Sequence, residues 1–184
     1  MGEAWLWSTW VKAGRLRNAD VAIVAACLPF VNPKLYQEIT RNKVVLLACP
    51  EREHSALYGK IASMIRSSRP RSITVVSIDG SPHCALLHAS VNEAEYILDE
   101  GIPRRHYVVV DGEELREISP NAVRVARYLS IVEELIRKNP PEALEELAKH
   151  SLEYRNSLAR LVRAMRQGPS DVINHKTYFI KMND

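Results

Sequence analysis

Asp20-Val-Ala-Ile-Val-Ala-Ala-Cys27 is an unbroken apolar run closed by a thiol. A strand with one face in water alternates apolar and polar side chains, whereas a strand covered on both faces reads as continuous. The run therefore predicts a strand inside a parallel sheet. Two more runs of the same kind follow, Lys43-Val-Val-Leu-Leu-Ala-Cys49 and Ser72-Ile-Thr-Val-Val-Ser-Ile78. Helical stretches separate them. Asn32-Pro33 pairs an N-cap residue with a proline at the first helical position, predicting a short helix to about Thr40. Leu57, Ile61, Met64 and Ile65 recur at helical steps within Glu53–Ser68, and Arg69-Pro70 ends that stretch. Ser81-Pro82 starts another helix, to about Glu100. This alternation predicts an α/β fold with an open, mainly parallel sheet flanked by helices.

Farther out, residues 3–17 are expected to form a short helix whose Trp5, Trp7 and Trp10 pack on the body. His106–Val110, Asp111-Gly112 and Glu113–Ile118 read as a β-hairpin with an Asp-Gly turn at the sheet edge. After Ser119-Pro120 the pattern becomes helical. Ala122, Val125, Leu129, Val132 and Ile136 form one stripe. Leu144, Leu147, Ser151, Tyr154, Leu158, Leu161 and Met165 form another beyond Asn139-Pro140-Pro141. These predict a C-terminal helical hairpin whose second arm reaches roughly 35 Å. Its stripes would cover the sheet or meet another subunit, so a homo-oligomer through these helices is one expectation. The division is 1–118 for the α/β domain and 119–184 for the hairpin and tail. Tyr178-Phe-Ile-Lys-Met182 would add an edge strand or remain a loose tail.

The totals narrow the function classes. With 184 residues, 46% hydrophobic and 26% charged, the chain can bury a core. A net charge of +3 does not call for a nucleic-acid partner. The basic end of the last helix, with Arg155, Arg160, Arg163 and Arg166, suits its C-terminal dipole. No apolar stretch approaches the ~20 residues of a membrane span. Three cysteines do not make a secreted disulfide scaffold, and a reducing cytoplasm is the expected setting. No Walker A loop and no Gly-x-Gly-x-x-Gly is present, so a conventional nucleotide cradle is not expected.

The chemistry lies with the thiols. Parallel strands bring their carboxyl ends to one edge, where ligands bind in such sheets. Cys27, Cys49 and Cys84 would meet at that rim, Cys84 arriving through Asp79-Gly-Ser-Pro-His83. With Ser81 as N-cap, Cys84 takes the third helical position, where amide N–H groups and the helix dipole favour a thiolate. His88 lies four residues on, on the same helix face. Three thiolates and one imidazole are a zinc donor set, and three thiolates could hold an iron–sulfur cluster. Cys84 could equally be a nucleophile with His88 as its base, or all three thiols could be packing residues. Glu51, Glu53 and His54 are further candidates beside Cys49, read first as solvated helix-start residues.

Cys27-Leu-Pro-Phe-Val-Asn-Pro33, Lys43-Val-Val-Leu-Leu-Ala-Cys-Pro50 and Ser72-Ile-Thr-Val-Val followed by Cys84 resemble the α/β module of poorly characterised prokaryotic 4Fe-4S-binding, ferredoxin-associated proteins. The resemblance covers about residues 20–110. The Cys49-Pro50 strand end matches. The ferredoxin Cys-x-x-Cys-x-x-Cys run is missing, and the cysteine-rich turn is reduced to His83-Cys84. The resemblance implies the fold and the crevice more than a cluster. The resulting expectation is a metal- or iron–sulfur-linked redox protein with a redox partner. Cys27, Cys49, Cys84 and His88 are its candidate ligands, or else Cys84 attacks and Cys49 resolves. The alternatives are a cysteine-dependent enzyme acting on a small anion, with Cys84 and His88 as its catalytic pair, and a non-enzymatic oligomerisation module.

Overall fold

The computed structural model describes residues 3–53 and 57–167. Its strands are β1 (Ala4–Trp5), β2 (Asp20–Ala25), β3 (Val44–Ala48), β4 (Ser72–Ile78), β5 (Arg104–Val110) and β6 (Glu114–Ile118). They form one sheet in the order β1-β3-β2-β4-β5-β6. Every neighbouring pair is parallel except the β5–β6 hairpin. The first apolar run thus lies in mid-sheet, with Val24 level with Leu47 on one side and Val76 on the other.

The unbroken hydrophobicity of β2 has the predicted cause: Val21 to Ala25 are all buried. Alternate residues serve opposite layers. Val21 and Ile23 join Leu46, Ile73 and Val75 beneath α3 (Leu57–Ser68) and α4 (Pro82–Leu98). Ala22 and Val24 join Val76 and Val109, with Leu28 of α1 (Leu28–Val31) and Tyr36 of α2 (Pro33–Thr40). Asn32 caps α2 by accepting from the Leu35 N–H at 3.0 Å, and its amide donates to the Gly112 carbonyl at 3.1 Å. Asp111 and Gly112 both have positive φ, as the tight turn of a right-twisted hairpin requires. A Cβ on Gly112 would stand 3.0 Å from Val31, so the hairpin tip is fitted against α1.

Two expectations fail. Residues 3–17 are not one helix: Ala4–Trp5 pairs with Leu46 and Leu47, and Gly14–Leu16 makes a single 3-10 turn. Leu6 and Leu16 are the apolar anchors of that segment. Trp7 and Trp10 remain 44% and 68% exposed, while Trp5 lies under the Arg52 guanidinium. The C-terminal helical region is also more broken than the periodicity predicts. It forms α5 (Pro120–Val125), α6 (Leu129–Lys138), α7 (Pro140–His150) and α8 (Leu152–Gln167). Ser151 is extended at ψ 106° and its hydroxyl accepts from the Tyr154 N–H, so one helix ends and the next begins there. A stripe carries across such a break because apolar spacing does not record one non-helical ψ.

The chain divides into two compact units, residues 1–127 and 128–184, with α5 in the first. No described helix is long and apolar enough to cross a membrane. The proposed strand Tyr178–Met182 lies outside the described residues. Ile23 is fully buried in mid-sheet, so Ile23→Ala is expected to cost about 2–5 kcal/mol of unfolding free energy in urea titration. Phe30, 86% exposed, is the control, and Phe30→Ala should stay within about 0.5 kcal/mol.

Candidate thiol rim and buried histidine cluster

From β2 the chain runs through α1 and α2 to β3 on one side; from β4 it runs through α4 to β5 on the other. Connections that diverge in this way open a crevice at the carboxyl ends of β2 and β4. Cys27 stands at the first of these ends, as the N-cap residue of α1. Its carbonyl accepts from the Phe30 and Val31 N–H groups. Cys84 occupies the first turn of α4 beyond the end of β4. Cys49 directly follows β3, the other neighbour of β2. All three thiols are free. Cys27 is exposed, Cys49 half-buried and Cys84 buried.

The Cys27 thiol is shifted by its surroundings. Partial burial raises the Cys27 pKa, and the nearby Cys84 thiolate charge raises it further. A backbone hydrogen bond opposes this, and Cys49 adds a smaller increment.

The surroundings are fastened by Glu53. Its carboxylate accepts from the Cys49 N–H and the Trp7 N–H, each at 3.1 Å, tying the N-terminal segment to the turn after β3. Glu51 stands 3.7 Å from His83 Nδ1, linking that turn to the start of α4. His54 lies outside the described residues. Ser81 occupies the N-cap position of α4, but its side chain makes no capping bond.

His88 does not serve Cys84. Its Nε2 lies 2.7 Å from Ser77 Oγ and its Nδ1 lies 3.0 Å from His106 Nδ1, which engages both ring nitrogens. Ser77, His88 and His106 are buried between α4, β4 and β5. Two Nδ1 atoms facing each other share one hydrogen. If His88 holds it, His106 must carry its own hydrogen on Nε2. If His106 holds it, Nε2 is a bare acceptor and Ser77 accepts from His88. His106 Nε2 has no partner in either case. An orphaned acceptor is the less costly of the two, which favours the second arrangement. Burial drives the His88 pKa down to about 3, helped by His106. Burial likewise drives His106 down to about 4, helped by Arg104 and Arg124. Both rings are therefore neutral at pH 7. The atoms follow the order of a serine–histidine relay, but Ser77 is only 1% exposed, so no substrate reaches its oxygen.

Among the described residues, no group of three or more His, Cys, Asp or Glu side chains is arranged to hold a metal ion. The donor set expected from Cys27, Cys49, Cys84 and His88 is thus not assembled as a cage, and the committed nitrogens of His88 give one reason. His106 escaped the sequence reading, which saw only a hairpin strand. The available signal was parity, since His106 shares its sheet face with the buried Val108 and Val110. The midpoint of Cys27 alkylation against pH is expected above the usual thiol value of about 8.5. Cys84→Ala should bring it down, as followed by peptide-resolved mass spectrometry.

A family model described as a Rossmann-like domain matches residues 13–165, a span that takes in β2 to β6 and α1 to α7. No curated protein and no solved structure matches the chain. The α/β module implied by the resemblance is present, and the match carries nothing of its iron–sulfur association. By fold, strand order and sequence match, the chain belongs to the Rossmann-like domain family.

Proposed function

We propose that the protein is a thiol redox protein working at the carboxyl rim of the sheet, with Cys27 and Cys84 as the exchanging pair and Cys49 beside them. The observation that carries this reading is the placement of three free thiols just past the ends of β2, β3 and β4, graded from exposed to buried. Exposure reverses the roles expected from the sequence: Cys27 is open to a partner, and the buried Cys84 is suited to resolve. The oxidant is a disulfide, from a protein or a small molecule. The Cys27 thiolate attacks one of its sulfurs, a mixed disulfide forms, and the other sulfur leaves as a thiolate. Cys84, giving its proton to solvent, then attacks the Cys27 sulfur and displaces the second thiolate. Two electrons pass from the dithiol to the disulfide, and the reverse sequence reduces the protein. A raised Cys27 pKa makes the forward attack faster above neutral pH. Free thiols suit a reducing cytoplasm, and the conjugate is a redox partner protein.

The test equilibrates the protein in graded glutathione buffers, traps thiols by alkylation and maps the peptides. A Cys27–Cys84 disulfide that forms at a defined potential and disappears in Cys27→Ser is the expected result. Three thiols that oxidise independently, with no internal bridge, would sink the reading. Stoichiometric zinc or iron on these thiols in anaerobically purified protein would replace it with a metalloprotein.

A second reading concerns the helical unit. α6 has a strongly one-sided apolar pattern, yet none of residues 128–160 whose burial is described is buried. Leu129, Ile131, Leu135, Leu147 and Leu152 are all exposed. Helices without an interior of their own fit self-association through these faces. Light scattering after size exclusion is expected to give a dimer or larger, and Leu135→Glu should lower the mass toward one chain. A monomer at every concentration tested would remove this reading.

A further inference from the structure

We propose that the His88–His106 pair is an acid-operated latch on the N-terminal half of α4, releasing the turn that carries Cys84 when the pair takes up protons from solvent. The argument starts from how α4 is docked. Leu87, Val91 and Ala94 give it an apolar contact with the sheet. Beside them, His88, Asn92 and Glu95 form a buried polar seam at steps of four and three residues. The far end of the seam is fully engaged. Glu95 accepts from the Gly101 N–H at 2.7 Å and the Ile102 N–H at 3.2 Å. Asn92 donates to the Pro120 carbonyl and accepts from Arg104. Only the near end, one turn from Cys84, rests on the two imidazoles and Ser77.

That near end has no place for added protons. The 3.0 Å gap between the two Nδ1 atoms holds one hydrogen. A first proton leaves a charged N–H on His106 Nε2, buried and without an acceptor. A second puts two hydrogens into the same gap. The neighbours offer no relief. β4 contributes the Ser77 hydroxyl, α4 contributes Cys84 one turn earlier and Asn92 one turn later, and α5 contributes Arg124. β5 contributes Arg104, already bonded to Asn92. β6 sets Ile118 opposite His106, while Arg116 on the same strand pairs with Glu114. Glu95, the carboxylate of the seam, is committed to two amides. The fields of Arg104 and Arg124 oppose a positive charge on His106.

The sign follows from linkage. Both imidazoles bind protons less readily when α4 is docked than when it is free. The docked state is therefore favoured above the usual imidazole pKa and loses that advantage as pH falls toward the depressed values. For two rings with a free value of about 6.5, the opening equilibrium should rise by about 500-fold between pH 7 and pH 5. The latch is independent of the redox reading, because Cys84 acts here only as a reporter.

The experiment uses the full-length protein. An activated pyridyl disulfide, which reacts in acid, labels Cys84 across this range, and hydrogen exchange follows the α4 amides. Cys84 labelling and exchange from Leu86 to Val91 should rise together, with a two-proton dependence, while β2 and β3 stay protected. His106→Asn keeps an amide at the Nδ1 position and removes one titrating ring, so the dependence should fall to one proton. Should that variant not fold, imidazole NMR titration of the unmodified protein decides. Both rings staying neutral until α4 opens supports the latch. Ordinary titration beneath a protected helix overturns it, as does Cys84 protection unchanged to pH 5 or simultaneous opening of the whole sheet.

Discussion

The buried placement of β2 governs the rest of the molecule. No side chain from Val21 to Ala25 can face water, so the strand needs a strand on each side and a layer on each face. Parallel neighbours meet that need only through crossover connections, which send the chain over the sheet and back. Carboxyl ends then gather at one rim as a geometric consequence. At the opposite end Asp20 sets the register. It lies level with Ser72 and accepts hydrogen bonds from Arg71 and from the Ser72 hydroxyl. Arg71, then Ser72, holds the Asp20 carboxyl well below the usual carboxylate range. The group favours the folded state above the ordinary carboxylate pKa and loses that effect only as pH falls through its depressed value. Exposure of the Arg71 side chain keeps the contribution small. Its role is alignment, which matters because a one-residue slip would turn Ile23 and Val24 to the wrong layers.

The helices show a division of labour. α3 contributes an apolar face to the core, with Leu57, Ile61, Met64 and Ile65 buried. α4 is different, since its buried face mixes Leu87, Val91 and Ala94 with His88, Asn92 and Glu95. Buried polar groups cost free energy unless paired, and pairing fixes the helix more narrowly than apolar contact does. Glu95 shows the gain, because its carboxylate closes the loop that leads into β5. His106 Nε2 shows the cost.

The sequence is clearest where one physical pressure dominates. The limits of β4, Ser72–Ile78, are readable from its apolar run, and the hairpin follows from Asp111-Gly112 and its demand for positive φ. β1 is opaque because two residues carry no period, and because three tryptophans suggest burial that Leu6, Thr9 and Leu16 achieve instead. The breaks at Tyr128 and Ser151 are opaque because backbone angles, rather than side-chain spacing, set them. At the rim, the thiols are legible as strand-end residues, yet their exposures depend on the turn each one enters. His88 illustrates the limit best. Its spacing from Cys84 is right for a shared face, but a helix face is wide enough for one residue to meet the rim and the other to meet β5.

The absence of a glycine-rich phosphate turn is consistent with what stands in its place. After β2, the position where a dinucleotide fold opens a glycine loop into a long helix holds Cys27-Leu-Pro-Phe30 and a helix of four residues. Leu28 is fully buried in the second core layer, which fixes that turn against the sheet. So short a helix gathers little dipole at its start. The crevice keeps its topological location, with the exposed Cys27 at the end of β2. A fold that elsewhere recognises an anion by amide geometry here ends three neighbouring strands near cysteines, one exposed, one half-buried and one buried. Graded exposure sets the order in which a reagent from solvent reaches these sulfurs, and α4 carries the buried one, Cys84, one turn from its least satisfied buried contact.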